Sequence, residues 1–131
     1  MKAIDTNVLV RFFTQDDPVQ SPRAEAVLAS FSASDPVWVG LAVVLELVWV
    51  LDDSYGLKRD GISQVLHLLL TRQEIVVERV EAVRQALFLY RRGNVDFADC
   101  MISCCAHAAG CEGILTFDRV AARDAGMELV G

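Results

Sequence analysis

Lys2-Ala-Ile-Asp5-Thr-Asn7 has the pattern of a short apolar strand that ends at a carboxylate and leads directly into a helix. A second strand pattern, Gly113-Ile-Leu-Thr-Phe-Asp118, also ends at an aspartate. In open parallel sheets, ligands bind outside the carboxyl ends of the strands. We therefore expect Asp5 and Asp118 to lie at that edge of a sheet.

Two further acids stand where an acid is costly. Glu46 interrupts the apolar run from Leu41 to Leu51, and Asp99 lies in Asp96-Phe-Ala-Asp99 at the start of a helical pattern. A buried carboxylate is expensive unless a cation pairs with it. The aspartates could each simply cap or begin a helix, but capping does not explain the mid-helix Glu46. Together the four acids predict a divalent-metal site.

Short strand patterns alternate with helical ones along the chain, as in the amphipathic spacing of residues 62–70. This alternation predicts an α/β fold with a mostly parallel sheet covered by helices on both faces. The chain has 131 residues, with no repeat and no Ser/Gly-rich linker. We therefore expect a single domain over residues 1–131.

The composition, 53% hydrophobic and 23% charged, is typical of a globular protein. A net charge of −6 argues at face value against nucleic-acid binding. However, the four acids contribute to this charge, and bound divalent cations would reverse its sign locally. Nucleic acid therefore stays open as a partner.

No secretory signal is recognisable, because the acid at Asp5 arrives too early. The apolar run from Val37 to Leu51 is shorter than the roughly 20 residues of a membrane span, and it contains Glu46. We expect a buried helix there, no membrane association and a cytoplasmic protein.

The four cysteines lie close together near the C-terminus, which does not suit a disulfide framework, and their spacing matches no common zinc pattern. We expect reduced thiols in the core. The cysteines are Cys100, Cys104, Cys105 and Cys111.

Four segments in this order resemble the PIN domain family and, within it, the VapC-type toxins of bacterial toxin–antitoxin pairs. The segments are Asp5–Arg11, Glu46–Leu51, Asp96–Ile102 and Leu115–Asp118. Each motif alone is weak. All four together, from Lys2 to the last strand of so short a chain, are specific.

The resemblance implies a three-layer α/β/α sandwich with a central, mostly parallel, short-stranded sheet. It also implies an endoribonuclease that uses one or two Mg²⁺ or Mn²⁺ ions, which prefer carboxylate oxygens as ligands. The implied catalytic residues and metal ligands are Asp5, Glu46, Asp99 and Asp118. The implied supporting residues are Asp96, Thr6, Asn7 and Thr116.

Arginines near the motifs are candidates for RNA contacts, with Arg11 and Arg119 foremost, and Arg91, Arg92 and Arg123 beside them. The resemblance implies a small antitoxin whose C-terminal segment lies across the site. The mean hydropathy of +0.36 is high for a monomer, and the helices around residues 41–51 and 62–70 carry more apolar positions than one core stripe needs. We therefore expect a homodimer and an antitoxin groove.

Other functions fit parts of this pattern. A PIN-type nuclease could process RNA without an antitoxin, and a non-catalytic module could bind RNA or protein through a degenerate site. A haloacid-dehalogenase-type phosphatase is disfavoured, because Asn7 stands where that class places its second aspartate.

Overall fold

The N-terminal residues form an extended segment alongside a two-stranded parallel sheet. The computed structural model describes all of residues 1–131, with seven helices and four strands. The helices are α1 (Thr6–Thr14), α2 (Gln20–Ala29), α3 (Leu41–Asp53), α4 (Arg59–Thr71), α5 (Val80–Arg92), α6 (Phe97–Ala108) and α7 (Arg119–Asp124). The strands are β1 (Val37–Val39), β2 (Ile75–Val77), β3 (Leu115–Thr116) and β4 (Glu128–Leu129).

The chain divides into two compact units, Met1–Glu78 and Arg79–Gly131. Each unit contains one pair of short parallel strands, β1 with β2 in the first and β3 with β4 in the second. The predicted α/β class with parallel pairing is confirmed. A single functional domain over residues 1–131 stays a prediction.

In the first unit the predicted strand before Asp5 is reduced to one bridge, between Ala3 and Trp38. The amide of Ile4 donates to the carbonyl of Trp38 at 3.0 Å, and the amide of Trp38 donates to the carbonyl of Lys2 at 2.9 Å. The segment is extended, but α1 begins too soon after it for a longer ladder. Asp5 is thereby placed where the extended segment ends.

Helix α3 buries one face only. Val44, Leu47 and Leu51 are buried, whereas the side chain of Trp49 is 62% exposed. The prediction of a buried helix is therefore wrong, because the 3–4 spacing of these buried residues makes a single core-facing stripe. The apolar residues between them lie outside that stripe.

A side chain from beyond β2 satisfies the start of α3. Gly40 precedes the helix and has no side chain to cap it. The Glu78 carboxylate accepts from the amide of Leu41 at 2.8 Å instead. A Cβ atom on residue 40 would lie 3.0 Å from the Trp38 ring. The helix that carries Glu46 is thus held from the end of β2.

The second unit packs α5 against α6. The rings of Tyr90 and Phe97 meet edge to face with centroids 5.7 Å apart. Cys100 and Cys104 are buried in this unit, and burial raises the pKa of the Cys104 thiol. All four cysteines are free thiols, but Cys111 is exposed, so the expectation of core thiols is wrong there.

No helix combines the length and the apolar character needed to cross a membrane.

A polar cluster ties the end of α1 to the segment after α3. The Asp16 carboxylate accepts from the Tyr55 hydroxyl at 2.6 Å, from the Thr14 hydroxyl at 2.8 Å, and from Arg11 Nη1 at 3.1 Å. These contacts, the Tyr55 hydrogen bond first, lower the pKa of Asp16 from 3.8 to about 2. The ionised form is therefore the stabilising one.

We expect Asp16→Asn to lower stability at neutral pH. Because the folded pKa is depressed, the wild-type advantage is present above the unfolded value of 3.8 and is lost as pH falls toward about 2. Thermal unfolding of both proteins between pH 7 and pH 2 measures this. Asp53→Asn is the matched control, since Asp53 is exposed. A stability difference that persists unchanged to pH 2 would contradict the assignment.

Candidate active site

A cavity of about 660 Å³ in the first unit contains two of the four predicted acids, Asp5 and Glu46. Side chains from α1, α3 and the segments that follow them form its walls. The lining residues are Asp5, Thr6, Asn7, Val10, Arg11, Asp16, Glu46, Val50, Ser54 and Tyr55. The first and second sequence motifs are therefore brought together at one site.

Asp5 occupies this cavity because it is the N-cap of α1. One carboxylate oxygen accepts from the amide of Thr6 at 2.7 Å. The other carboxylate oxygen makes no hydrogen bond. The capping interpretation is thus correct, and it does not exclude a chemical role, because capping uses only one of the two oxygens.

Thr6 couples the two acids. Its hydroxyl donates to a carboxylate oxygen of Glu46, and its side chain is buried, with 5% of the residue exposed. The bond joins α1 to α3 directly after Asp5, so it sets the position of Glu46 relative to the start of α1. Glu46 has a second oxygen for which no protein donor is present.

The cost of burial does not single out these acids. Asp5, Glu46 and Asp118 are all exposed, and only Asp99 is partly buried. The expectation of a buried carboxylate is therefore wrong for Glu46. Asp5, Glu46 and Asp118 lie on the surface, where water reaches them. Glu46 differs from the other two in accepting a hydrogen bond from the Thr6 hydroxyl.

Of the predicted supporting residues, Thr6 donates a hydrogen bond to a carboxylate, whereas Asn7 and Thr116 do not. Asn7 lines the cavity, but its side chain makes no hydrogen bond to Asp5 or Glu46. The Thr116 hydroxyl accepts from the main-chain amide of Asp118 at 3.0 Å. Thr116 thus holds the backbone of Asp118 rather than its carboxylate.

The second unit gathers the other predicted acids. Asp99 lies in the first turn of α6, and Asp96 occupies the N-cap position of that helix without a capping bond. Asp118 caps α7, its carboxylate accepting from Val120 at 2.8 Å and Ala121 at 3.1 Å. Partial burial, and then the negative charges of Asp96 and Asp118, raise the pKa of Asp99. An added cation would relieve this repulsion.

In neither unit do three or more acidic, histidine or cysteine side chains converge closely enough to hold a metal ion. The donor set nevertheless fits a hard divalent cation. Asp5 and Glu46 each keep a carboxylate oxygen that no protein group occupies, and the pKa of Asp99 is raised by partial burial and then by the negative charges of Asp96 and Asp118. Oxygen donors of this kind suit Mg²⁺ or Mn²⁺. The assembly of all four acids around one metal site stays a prediction.

The candidate RNA-binding arginines differ in their engagement. Arg11 is tied to Asp16, Arg123 is paired with Asp124 at 3.0 Å, and Arg92 lies over the Phe88 ring at 4.8 Å. Arg119 is exposed and makes no ion pair, which leaves it available to an anion. The assignment of Arg119 as an RNA contact stays a prediction.

Sequence reasoning missed Asp16 and Tyr55 as cavity-lining residues. Asp16 lies five positions after Arg11, which is a visible but weak charge pairing. Tyr55 meets Asp16 across 39 positions of sequence, and no local pattern indicates such a contact. Only the packing of α1 against α3 brings the two together.

The chain is similar to known proteins. Over 119 residues the chain is 27% identical to the VapC ribonuclease of Aquifex aeolicus, covering 91% of this chain and 88% of the relative. The crystal structure of Mycobacterium tuberculosis VapC20, a sarcin-ricin loop cleaving toxin, aligns with a TM-score of 0.48 and 18% identity over 99% of this chain and 98% of that one.

The sequence model of the PIN domain matches residues 2–126 of this chain. The matched range includes both acids of the cavity in the first unit and the three acids gathered in the second. It also confirms the PIN-like fold expected from the four sequence motifs. The chain therefore belongs to the PIN domain family.

Proposed function

We propose that this protein is a metal-dependent endoribonuclease that acts as the toxin of a toxin–antitoxin pair. The observation that carries the proposal is the cavity in which Asp5 and Glu46 lie together and are coupled through Thr6. Membership of the PIN domain family and the similarity to a VapC ribonuclease support RNA as the substrate. The reaction is the hydrolysis of RNA phosphodiester bonds.

The proposed cofactor is Mg²⁺ or Mn²⁺, as one or two ions. Asp5 and Asp99 would be its principal ligands, with Glu46 and Asp118 completing the set. A divalent cation in such a site lowers the pKa of a bound water and offsets charge on the phosphoryl oxygens. We propose that the acids of both units serve one nuclease domain over residues 1–131.

The chain's own residues prepare this chemistry. Asp5 is the N-cap of α1, so its carboxylate lies at the helix end that carries partial positive charge. Thr6 donates to one carboxylate oxygen of Glu46, and this leaves the other oxygen for a ligand. Asp118 is held in the same way by the start of α7. Asp5, Glu46 and Asp118 are thus each held by at least one hydrogen bond before any ligand binds.

The proposed partners are a small antitoxin and a second copy of this chain. Large apolar side chains are exposed on the helices of both units, which supports the proposal because such surface favours burial against another protein. The side chains are Trp49 on α3, Leu68 on α4, Phe88 on α5 and Ile102 on α6. An RNA substrate and an antitoxin both favour the cytoplasm as the place of action.

Cleavage of total RNA tests the proposal directly. We expect cleavage with Mg²⁺ or Mn²⁺, none with EDTA, and a loss of about a hundredfold or more in Asp5→Asn and Asp99→Asn. Asp53→Asn serves as the control for loss of one negative charge, and sequencing of the cut ends identifies the target. Equal metal-dependent cleavage by Asp5→Asn, Asp99→Asn and wild type would refute the assignment.

Metal linkage is tested by thermal unfolding. Because the pKa of Asp99 is raised in the folded protein, its ionised form costs stability above that pKa, and the cost disappears as pH falls through it. We therefore expect Asp99→Asn to unfold at a higher temperature than wild type without divalent cations at neutral pH. Millimolar Mg²⁺ or Mn²⁺ should then raise the unfolding temperature of wild type more than that of the variant. Equal shifts in both proteins would count against Asp99 as a ligand.

Thr6 allows a matched pair of substitutions. We expect Thr6→Val, which keeps the shape and loses the hydroxyl, to lower kcat by about ten- to a hundredfold. Thr6→Ser keeps the hydroxyl and should retain most of the activity. Steady-state cleavage of a mapped RNA site measures both. If Thr6→Val and Thr6→Ser were equally active, the bond to Glu46 would have no part in catalysis.

A further inference from the structure

A second cavity, of about 250 Å³, lies between α1 and α2 in the first unit. It shares Asn7 and Arg11 with the acidic cavity, so the two are neighbours along α1. No acidic side chain lines it. Its walls are apolar where Val8 and Val27 contribute, and its polar groups are Asn7, Arg11, Gln20 and Arg23.

Arg11 lines both cavities, and hydrogen bonds hold its side chain in place. Its Nε donates to Oε1 of Gln20 at 2.8 Å, and its Nη1 donates to the Tyr55 hydroxyl at 2.9 Å and to Asp16 at 3.1 Å. These three partners restrict the guanidinium to one position. The Arg11 side chain is therefore preorganised rather than mobile.

The bond to Arg11 also determines the orientation of the Gln20 amide. The oxygen and nitrogen of a glutamine are distinguished by their hydrogen-bond network, and an arginine can only donate. The Gln20 oxygen must therefore face Arg11, and its NH₂ group has no protein acceptor. Asp17 fixes the backbone at this point, accepting from the amide of Gln20 at 2.7 Å.

Arg23 supplies a second set of donors to the same cavity. Its side chain is exposed and makes no ion pair or hydrogen bond within the protein. Free donors from Gln20 and Arg23 over apolar walls match the edge and the faces of a nucleobase. Single-stranded RNA presents such bases, and proteins read them by stacking and by hydrogen bonds to their edges.

We propose that this cavity binds the nucleobase of the nucleotide next to the scissile phosphodiester and that it selects guanine. The proposal rests on the proposed ribonuclease function. Guanine offers two acceptors, O6 and N7, on one edge, whereas adenine offers a donor beside N7. Adenine is read by a glutamine whose oxygen and NH₂ are both free, and here the oxygen is engaged by Arg11. The volume holds one base, and Asn7 and Arg11 connect it to the acidic cavity.

The test compares cleavage of a short random-sequence RNA library by wild type and Gln20→Glu in Mg²⁺. A glutamate at position 20 can still accept from Arg11 but has no NH₂ group. The hydrogen bond to Arg11 is therefore retained, while the donors for the base are lost. We expect guanine enrichment at one position beside the cut in wild type, and a fall of about tenfold in the guanine-to-adenine ratio in Gln20→Glu. Gln64→Glu, an exposed residue of α4, is the control for the added charge.

Arg23→Ala gives an independent readout. We expect a higher KM with kcat little changed, and a dependence of KM on salt that is shallower by about one charge. If wild type and Gln20→Glu cleave with the same base preference beside the cut, the proposed guanine subsite is wrong, but the nuclease function stands.

Direct binding separates failure of the subsite from failure of the nuclease function. Wild type that cleaves no RNA would remove the proposed function, and fluorescence anisotropy of labelled hexanucleotides containing guanine or adenine would then decide. Tighter binding of the guanine oligonucleotide that is lost in Gln20→Glu would support the subsite. Equal binding of both oligonucleotides would overturn it.

Discussion

The hydrogen bond from Thr6 to Glu46 is the constraint on which the first unit depends. It joins the first turn of α1 to the middle of α3, so two helices far apart in sequence meet at one polar point inside an apolar contact. Leu9 and Leu47 are fully buried on these helices, and apolar packing of this kind has no direction of its own. The polar bond gives the contact a register and, in doing so, places Glu46 beside Asp5.

Much of the local structure can be predicted from the sequence because apolar periodicity is a local property. Helix α4, Arg59–Thr71, lies where the amphipathic spacing of residues 62–70 puts it. The buried and exposed faces of a helix are harder to predict, because the same periodicity does not show how much of the helix surface the rest of a small protein can cover. Trp49 is exposed for that reason, and Glu46 stands on an open face rather than in a core.

The candidate site shows the same division. Asp5 and Asp118 are detectable because a strand pattern that ends in an acid and becomes a helix requires a capping residue there. Tyr55 is not detectable, because its contact with Asp16 exists only after α1 and α3 have packed. Thr116 accepts a hydrogen bond from the main-chain amide of Asp118, and a sequence motif does not distinguish such a contact from one with the carboxylate of the same residue.

The arrangement around Arg11 has a consequence for the acids beside it. Arg11 lines the same cavity as Asp5 and Glu46, and a mobile guanidinium there would pair with them, since bidentate pairs with carboxylates are among the stronger hydrogen-bonded contacts. Asp16, Tyr55 and Gln20 instead occupy its Nε and Nη1 donors. No hydrogen bond joins Arg11 to Asp5 or Glu46, and each acid keeps one oxygen that a cation from solution can bind. One cavity thereby contains acidic side chains while its neighbour contains none, and Arg11, which lines both, is held in place between them.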